Sequence, residues 1–278
     1  AQTDKRLFAS THSSAFLMGC IQSGTPVTIV RLTYNMGIGS ARILPNSDLL
    51  ELMRNPLLRS TGVLNGLFYE SVVVTEADTD RAFYQEINER LLRSKPGAGI
   101  PNCLFLNAQN KQTVPTILKP LRKLGIPAAG VVDIDVIKEG GKNWANLLSA
   151  AGFPELAHNS MATMRASIKM AFDMTGRDMK RDGGLLILPQ SDQEAAINLL
   201  NQLNNYGIFV IPGGEVESWL ASLSIPGKGP GWLIPMFERL GEDPKAAGYV
   251  QPAHDDVWKF VSSMRAWLLN TNRPGIPN

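Results

Sequence analysis

The sequence predicts an α/β fold in which a parallel sheet is covered by helices on both faces. Three observations carry this. From Phe68 onward, short β-type runs alternate with amphipathic helical stretches, and the runs are apolar throughout instead of at every second residue. Acidic residues also recur at the ends of these runs, where an open parallel sheet presents its crevice.

Taken in order, KRLFASTHSSAFLMGCIQSG predicts a short strand, a Ser/Thr-rich turn and a helix with Ala15, Phe16, Leu17 and Ile21 among its apolar residues. PVTIVRLTYNMGIGSARIL predicts two strands joined by a turn around Asn35 to Gly39. SDLLELMRNPLLRS predicts a helix with Ser47 as N-cap, ended or bent at Pro56. The alternating region then begins with the strand SVVVTE and a helix carrying Phe83, Ile87 and Leu91 at helical spacing. NCLFLNA is a second strand. TVPTILKPLRKLG is a helix with Val114, Ile117, Leu118, Leu121 and Leu124 on one face, closed by Gly125, and AAGVVDID is a third strand.

Residues from about 138 to 184 read as a helical insertion, with Met161, Met164, Ile168, Met170 and Phe172 apolar and Arg165, Lys169, Arg177, Lys180 and Arg181 cationic. SDQEAAINLLNQLNNYG follows, with Ser191 and Glu194 in capping-box spacing, and runs through Gly207 into the strand IFVIP. PGKGPGW is a loop. DDVWKFVSSMRAWLLN is a closing helix with Val257, Phe260, Val261, Met264 and Leu268 turned inward, and NRPGIPN is a tail without pattern. Trp219, Trp232, Trp258 and Trp267 stand among apolar residues and read as core.

At 278 residues, 44% of them hydrophobic, the chain is long enough for one large core or two smaller ones. A net charge of +2 neither supports nor excludes a nucleic-acid partner, because lysines can gather on one face of a near-neutral protein. Cys20 and Cys103 show no metal-ligand spacing and read as reduced thiols of a cytosolic protein. No run reaches membrane-spanning length and no secretory leader pattern is present, which places the chain in the cytoplasm.

The chemistry rests on three acidic clusters: Glu76 to Asp80, Asp133 with Asp135, and Glu215 with Glu217. Singly, each acid reads as a helix cap or a solvated loop residue. Together, at the ends of neighbouring parallel strands, they form an oxygen-rich pocket suited to divalent cations. Asp133 and Asp135, two apart on an extended segment, project to one side. Close-packed carboxylates call for bound cations or raised pKa values. Two metals about 4 Å apart activate a water and stabilise a leaving oxygen in phosphodiester cleavage.

Glu76-x-x-x-Asp80 after one β run and Asp133-Ile134-Asp135 after another resemble the Toprim domain of topoisomerases, primases and some nucleases. GIFVIPGGEVESWL and FASTHSSAF resemble, more narrowly, the OLD (overcoming lysogenization defect) family of ATP-dependent nucleases, in which an ABC-type ATPase precedes a C-terminal Toprim domain. Ala77 stands where Toprim proteins often carry Gly.

The resemblance implies a DNA endonuclease using two Mg²⁺ or Mn²⁺ ions held by Glu76, Asp80, Asp133 and Asp135, with Glu215 and Glu217 as further metal candidates. Glu76 and Asp133 would be catalytic, and Lys228 would neutralise charge on the scissile phosphate. From its residues alone Lys228 is a solvated loop lysine.

Thr11-His12-Ser13 resembles the His-switch of the ATPase, although in this chain His12 reads as a polar cap of the following helix. No Gly-x-x-x-x-Gly-Lys-Ser/Thr loop occurs, so ATP would bind only in an absent N-terminal domain, which would also be the main source of any homodimer. The implied division is the end of an ABC-type ATPase and connector over 1–67 and a Toprim nuclease domain over 68–278.

The basic residues of the insertion, with Lys111, Lys119, Arg122 and Lys123, read either as a path for the DNA backbone or as ordinary solvent-facing charges. Two other functions stay open: a receiver-type signalling domain phosphorylated on an aspartate with one Mg²⁺, and a non-catalytic regulatory region of an ABC-type ATPase.

Overall fold

The computed structural model describes residues 7–23, 27–35, 37–44, 46–60 and 62–276. The lead-in consists of α1 (Ser14–Gln22), an antiparallel hairpin of β1 (Ile29–Asn35) and β2 (Ile38–Leu44), and the short helices α2 (Asn46–Arg54) and α3 (Pro56–Ser60). Pro56 does interrupt the predicted helix, since α2 stops before it and α3 starts on it. Ser47 lies inside α2 and is not its cap.

Ahead of α1, Leu7 to Ser13 form no strand. Leu7 and Phe8 are exposed, and a lone extended segment has no ladder to satisfy it. The rest of the predicted opening strand lies outside the described residues. The cap of α1 is Ser13, whose Oγ accepts from Phe16 N at 3.2 Å, so the neighbouring His12 is an exposed residue without the capping role.

The alternating region folds as β3 (Ser71–Thr75), α4 (Asp78–Ser94), β4 (Cys103–Asn107), α5 (Val114–Lys123), β5 (Ala128–Val132), α6 (Gly141–Ala151), α7 (Glu155–Met174), α8 (Gln190–Asn205) and β6 (Ile208–Val210). The four strands form one parallel sheet in the order β4-β3-β5-β6. Their apolar side chains divide by parity. Val72, Val74, Val132 and Val210 face a core shared with α5, α6, α7 and α8, while Val73, Val131 and Phe209 face the other core. That second core is closed by α4, by α9 (Pro230–Leu240) and by α10 (Asp256–Leu269). Burial on both faces is why these strands carry continuous apolar runs.

α9 is an element the sequence did not announce, because Pro230, Gly231 and Pro235 obscure its helical period. The four tryptophans expected in the core are buried. Within the insertion, Met161, Ile168 and Phe172 are buried, whereas Met170 is exposed.

Other expectations change in detail. α8 begins at Gln190 behind Pro189, whose carbonyl accepts from Asp192 N and Gln193 N, so Ser191 and Glu194 form no capping box. The tail is docked as far as it is described: Ile276 packs against the second core and Arg273 donates to Leu268 O at 3.0 Å.

Arg122, expected on a basic surface, is buried and pins the sheet to its surroundings. It donates to the carbonyls of Ala128, Ala151, Tyr206 and Gly207 and lies 4.9 Å from the Trp267 ring centroid. Among the described residues no helix is long and apolar enough to cross a membrane.

Candidate metal centre

The first acidic cluster is set by the end of β3. Thr75 Oγ1 donates to Leu106 O and Ala77 O, turning the chain into α4 with Ala77 as N-cap. Glu76 is left at the strand tip. Asp80, in the first turn of α4, accepts from Ala77 N at 3.1 Å and complements the positive helix end, so it does serve as a cap. Glu76 Oε1 accepts from the main-chain N–H of Asp133 at 2.9 Å.

The Asp-x-Asp pair is not on a continuing strand. β5 ends at Val132, Asp133 is still extended, and Ile134–Lys138 coils into a 3-10 turn because Ile134 N leaves the ladder to donate to Gly214 O. The shared side expected from strand alternation is reached through this turn instead. Glu76, Asp133 and Asp135 each place a carboxylate oxygen within 4.8 Å of the others. Asp133 Oδ1 and Asp135 Oδ1 are buried without a hydrogen-bond partner among the described residues.

Two lysines that sequence reasoning placed elsewhere complete the centre. Lys180 Nζ lies 2.5 Å from Asp133 Oδ2 and 3.9 Å from Glu215 Oε2. Lys111, which lies ahead of α5 and not on it, pairs with Asp135 Oδ2 at 2.7 Å and Glu139 Oε1 at 3.5 Å. Each aspartate therefore has one oxygen tied to a lysine and the other open.

Lys180 arrives by close backbone packing between the insertion and the loop after β6. A Cβ on Gly184 would lie 2.0 Å from Pro212 O, and one on Gly214 would lie 2.1 Å from Lys180 O. The sequence signal was the pairing of Gly183–Gly184 with Gly213–Gly214, which only contact in three dimensions could interpret.

Burial dominates the electrostatics. It raises the Glu76 carboxyl to about 8, with the Asp133 charge adding to it. It raises Asp80 to about 7, again with Asp133 contributing. Asp133 is also raised, by burial, although Lys180 opposes the shift. For Lys180, burial disfavours the charge, but the hydrogen bond to Asp133 and the surrounding carboxylates hold the ammonium above its ordinary range. Lys111 behaves likewise through Asp135.

Asp80, Glu215 and Glu217 stand outside the three-acid group. Glu215 pairs with Lys228, which is half exposed, and Glu217 accepts from Gly229 N at 2.8 Å. Of the other basic residues that the sequence leaves open as a DNA path or as solvent-facing charges, Lys123 pairs with Asp48, and Arg165 donates to Ile137 O and lies over the Trp144 ring. Lys119 is exposed. An all-oxygen donor set with two orphaned buried oxygens fits a hard divalent cation.

Residues 67–135 match the family model described as overcoming lysogenization defect protein-like, Toprim domain. This is consistent with the Toprim region of an OLD-family nuclease, and the parallel four-stranded sheet with flanking helices agrees with a Toprim domain. The matched segment contains Glu76, Asp80, Asp133 and Asp135 and ends before the insertion. Neither the curated proteins nor the solved structures give a match. The match and the acidic cluster point to a metal-binding domain of the nuclease or primase type.

Proposed function

We propose that this chain is a divalent-metal-dependent DNA endonuclease. The observation that carries the reading is the trio Glu76, Asp133 and Asp135, two of whose buried oxygens have no partner among the described residues. A buried carboxylate oxygen without a partner costs roughly 1–3 kcal/mol, which a bound cation recovers. Mg²⁺ or Mn²⁺, as a pair of ions, would supply Lewis-acid charge and an activated water at the scissile phosphate.

In this reading Glu76, Asp133 and Asp135 would hold the first ion. Asp80, Glu215 and Glu217 form the acidic rim from which a second would draw ligands. Lys228, paired with Glu215 on the loop before α9, would neutralise charge developing on the phosphate. The domain division goes with this proposal: residues 68–278 as the Toprim nuclease domain, and 1–67 as the end of an ATPase domain with its connector.

Incubation with supercoiled plasmid tests it. Nicked or linear product is expected with Mg²⁺ or Mn²⁺ and none with EDTA. Equal cleavage by a Glu76→Gln, Asp133→Asn double variant would overturn the site.

A further inference from the structure

We propose that Lys180 is a built-in counter-ion of this centre, occupying the place where a second divalent ion would bridge Asp133 and Glu215, so that two ions bind there unequally. The inference rests on the metal-centre reading above. The Lys180 ammonium lies between Asp133 Oδ2 and Glu215 Oε2, 2.5 Å from one and 3.9 Å from the other. Asp133 Oδ1 is buried and has no partner among the described residues, so a first ion on Glu76, Asp133 and Asp135 would leave Lys180 where it is. A second ion reaching across to Glu215 has to displace the ammonium.

This lysine is not a wandering surface side chain. Met179 before it is buried, and Asp178 Oδ1 accepts from the backbone N–H groups of Lys180 and Arg181 at 2.8 and 3.2 Å. The Lys180 carbonyl lies against Gly214, where no side chain larger than hydrogen fits. Its backbone is thus fixed, and only the flexible stem must move to release the acids. Lys180 belongs to the insertion, outside the segment matched by the family model.

Mn²⁺ titration of the purified protein, followed by calorimetry and by electron paramagnetic resonance of the free ion, tests this. The natural chain is expected to take one ion tightly and a second at least roughly tenfold more weakly. Lys180→Met removes a charge worth that order of discrimination at close range and should tighten the second ion by about tenfold, leaving the first within about threefold. Lys180→Gln should act in the same direction. Arg181→Met, on the same loop but exposed and without an ion pair to these acids among the described residues, should change neither.

Two ions of equal affinity in the natural chain, an unchanged ratio in Lys180→Met, or weakening of both ions in it would each overturn the role of Lys180 while the metal centre stands. Absence of any Mn²⁺ binding would overturn the centre itself.

Discussion

The main-chain N–H of Asp133 donates to Glu76 Oε1 at 2.9 Å, tying together residues 57 apart at the adjoining tips of β3 and β5. The bond orients Glu76 toward the Asp-x-Asp turn and leaves its second oxygen for a ligand. It also means that two acids of the candidate metal centre are held side by side without an ion.

The protonation of Glu76 gives a pH dependence with a definite sign. Folded Glu76 keeps its proton to about 8, against an ordinary value of 4.5, so between these values the folded chain binds more protons than the unfolded one. In EDTA the melting temperature should therefore fall as pH rises from 4.5 toward 8, and Glu76→Gln should flatten that slope. Asp80 and Asp133, also raised, contribute in the same direction, so part of the slope should remain, and a slope left unchanged by the substitution would assign the effect to them. Ion binding should release protons near pH 7, seen as a calorimetric heat that changes with the ionisation enthalpy of the buffer.

Gly214→Ala should loosen the centre from outside it. Gly214 has φ +119°, and the added Cβ would lie 2.1 Å from Lys180 O. The backbone strain alone is roughly 1–3 kcal/mol. Lower thermal stability and weaker Mn²⁺ binding are expected together, because Gly214 O also receives Ile134 N beside the Asp-x-Asp turn. Gly231→Ala, within α9 and with open space around its Cβ, should cost nothing.

Arg122→Lys should be strongly destabilising although it keeps the charge. The guanidinium serves four carbonyls on three separate segments, and one ammonium cannot reach them all. A loss of about 3–5 kcal/mol in urea denaturation is expected, the scale for breaking a buried charged network. A loss below about 1 kcal/mol would show that water replaces the missing donors.

The order of strands and helices from Ser71 to Val210 was legible because each carries its own period and length, and local pattern suffices where both faces of a strand are buried. Glu76, Asp133 and Asp135 were legible for a related reason: a strand tip in a parallel sheet opens on the crevice whatever the rest of the fold does.

The short-range details at Ser191 and Ser47 were not legible. A cap depends on where the first carbonyl turns, and Pro189 decided that for α8. By themselves the residues determined an α/β sheet with acids gathered at its carboxyl edge. Only tertiary structure decided that Asp133 and Asp135 meet through a 3-10 turn, that Arg122 lies inside, and that Lys180 stands among the carboxylates. Those outcomes come from backbone approach between segments far apart in the chain, at Gly184 and Gly214 above all, and such contact leaves no period in a sequence.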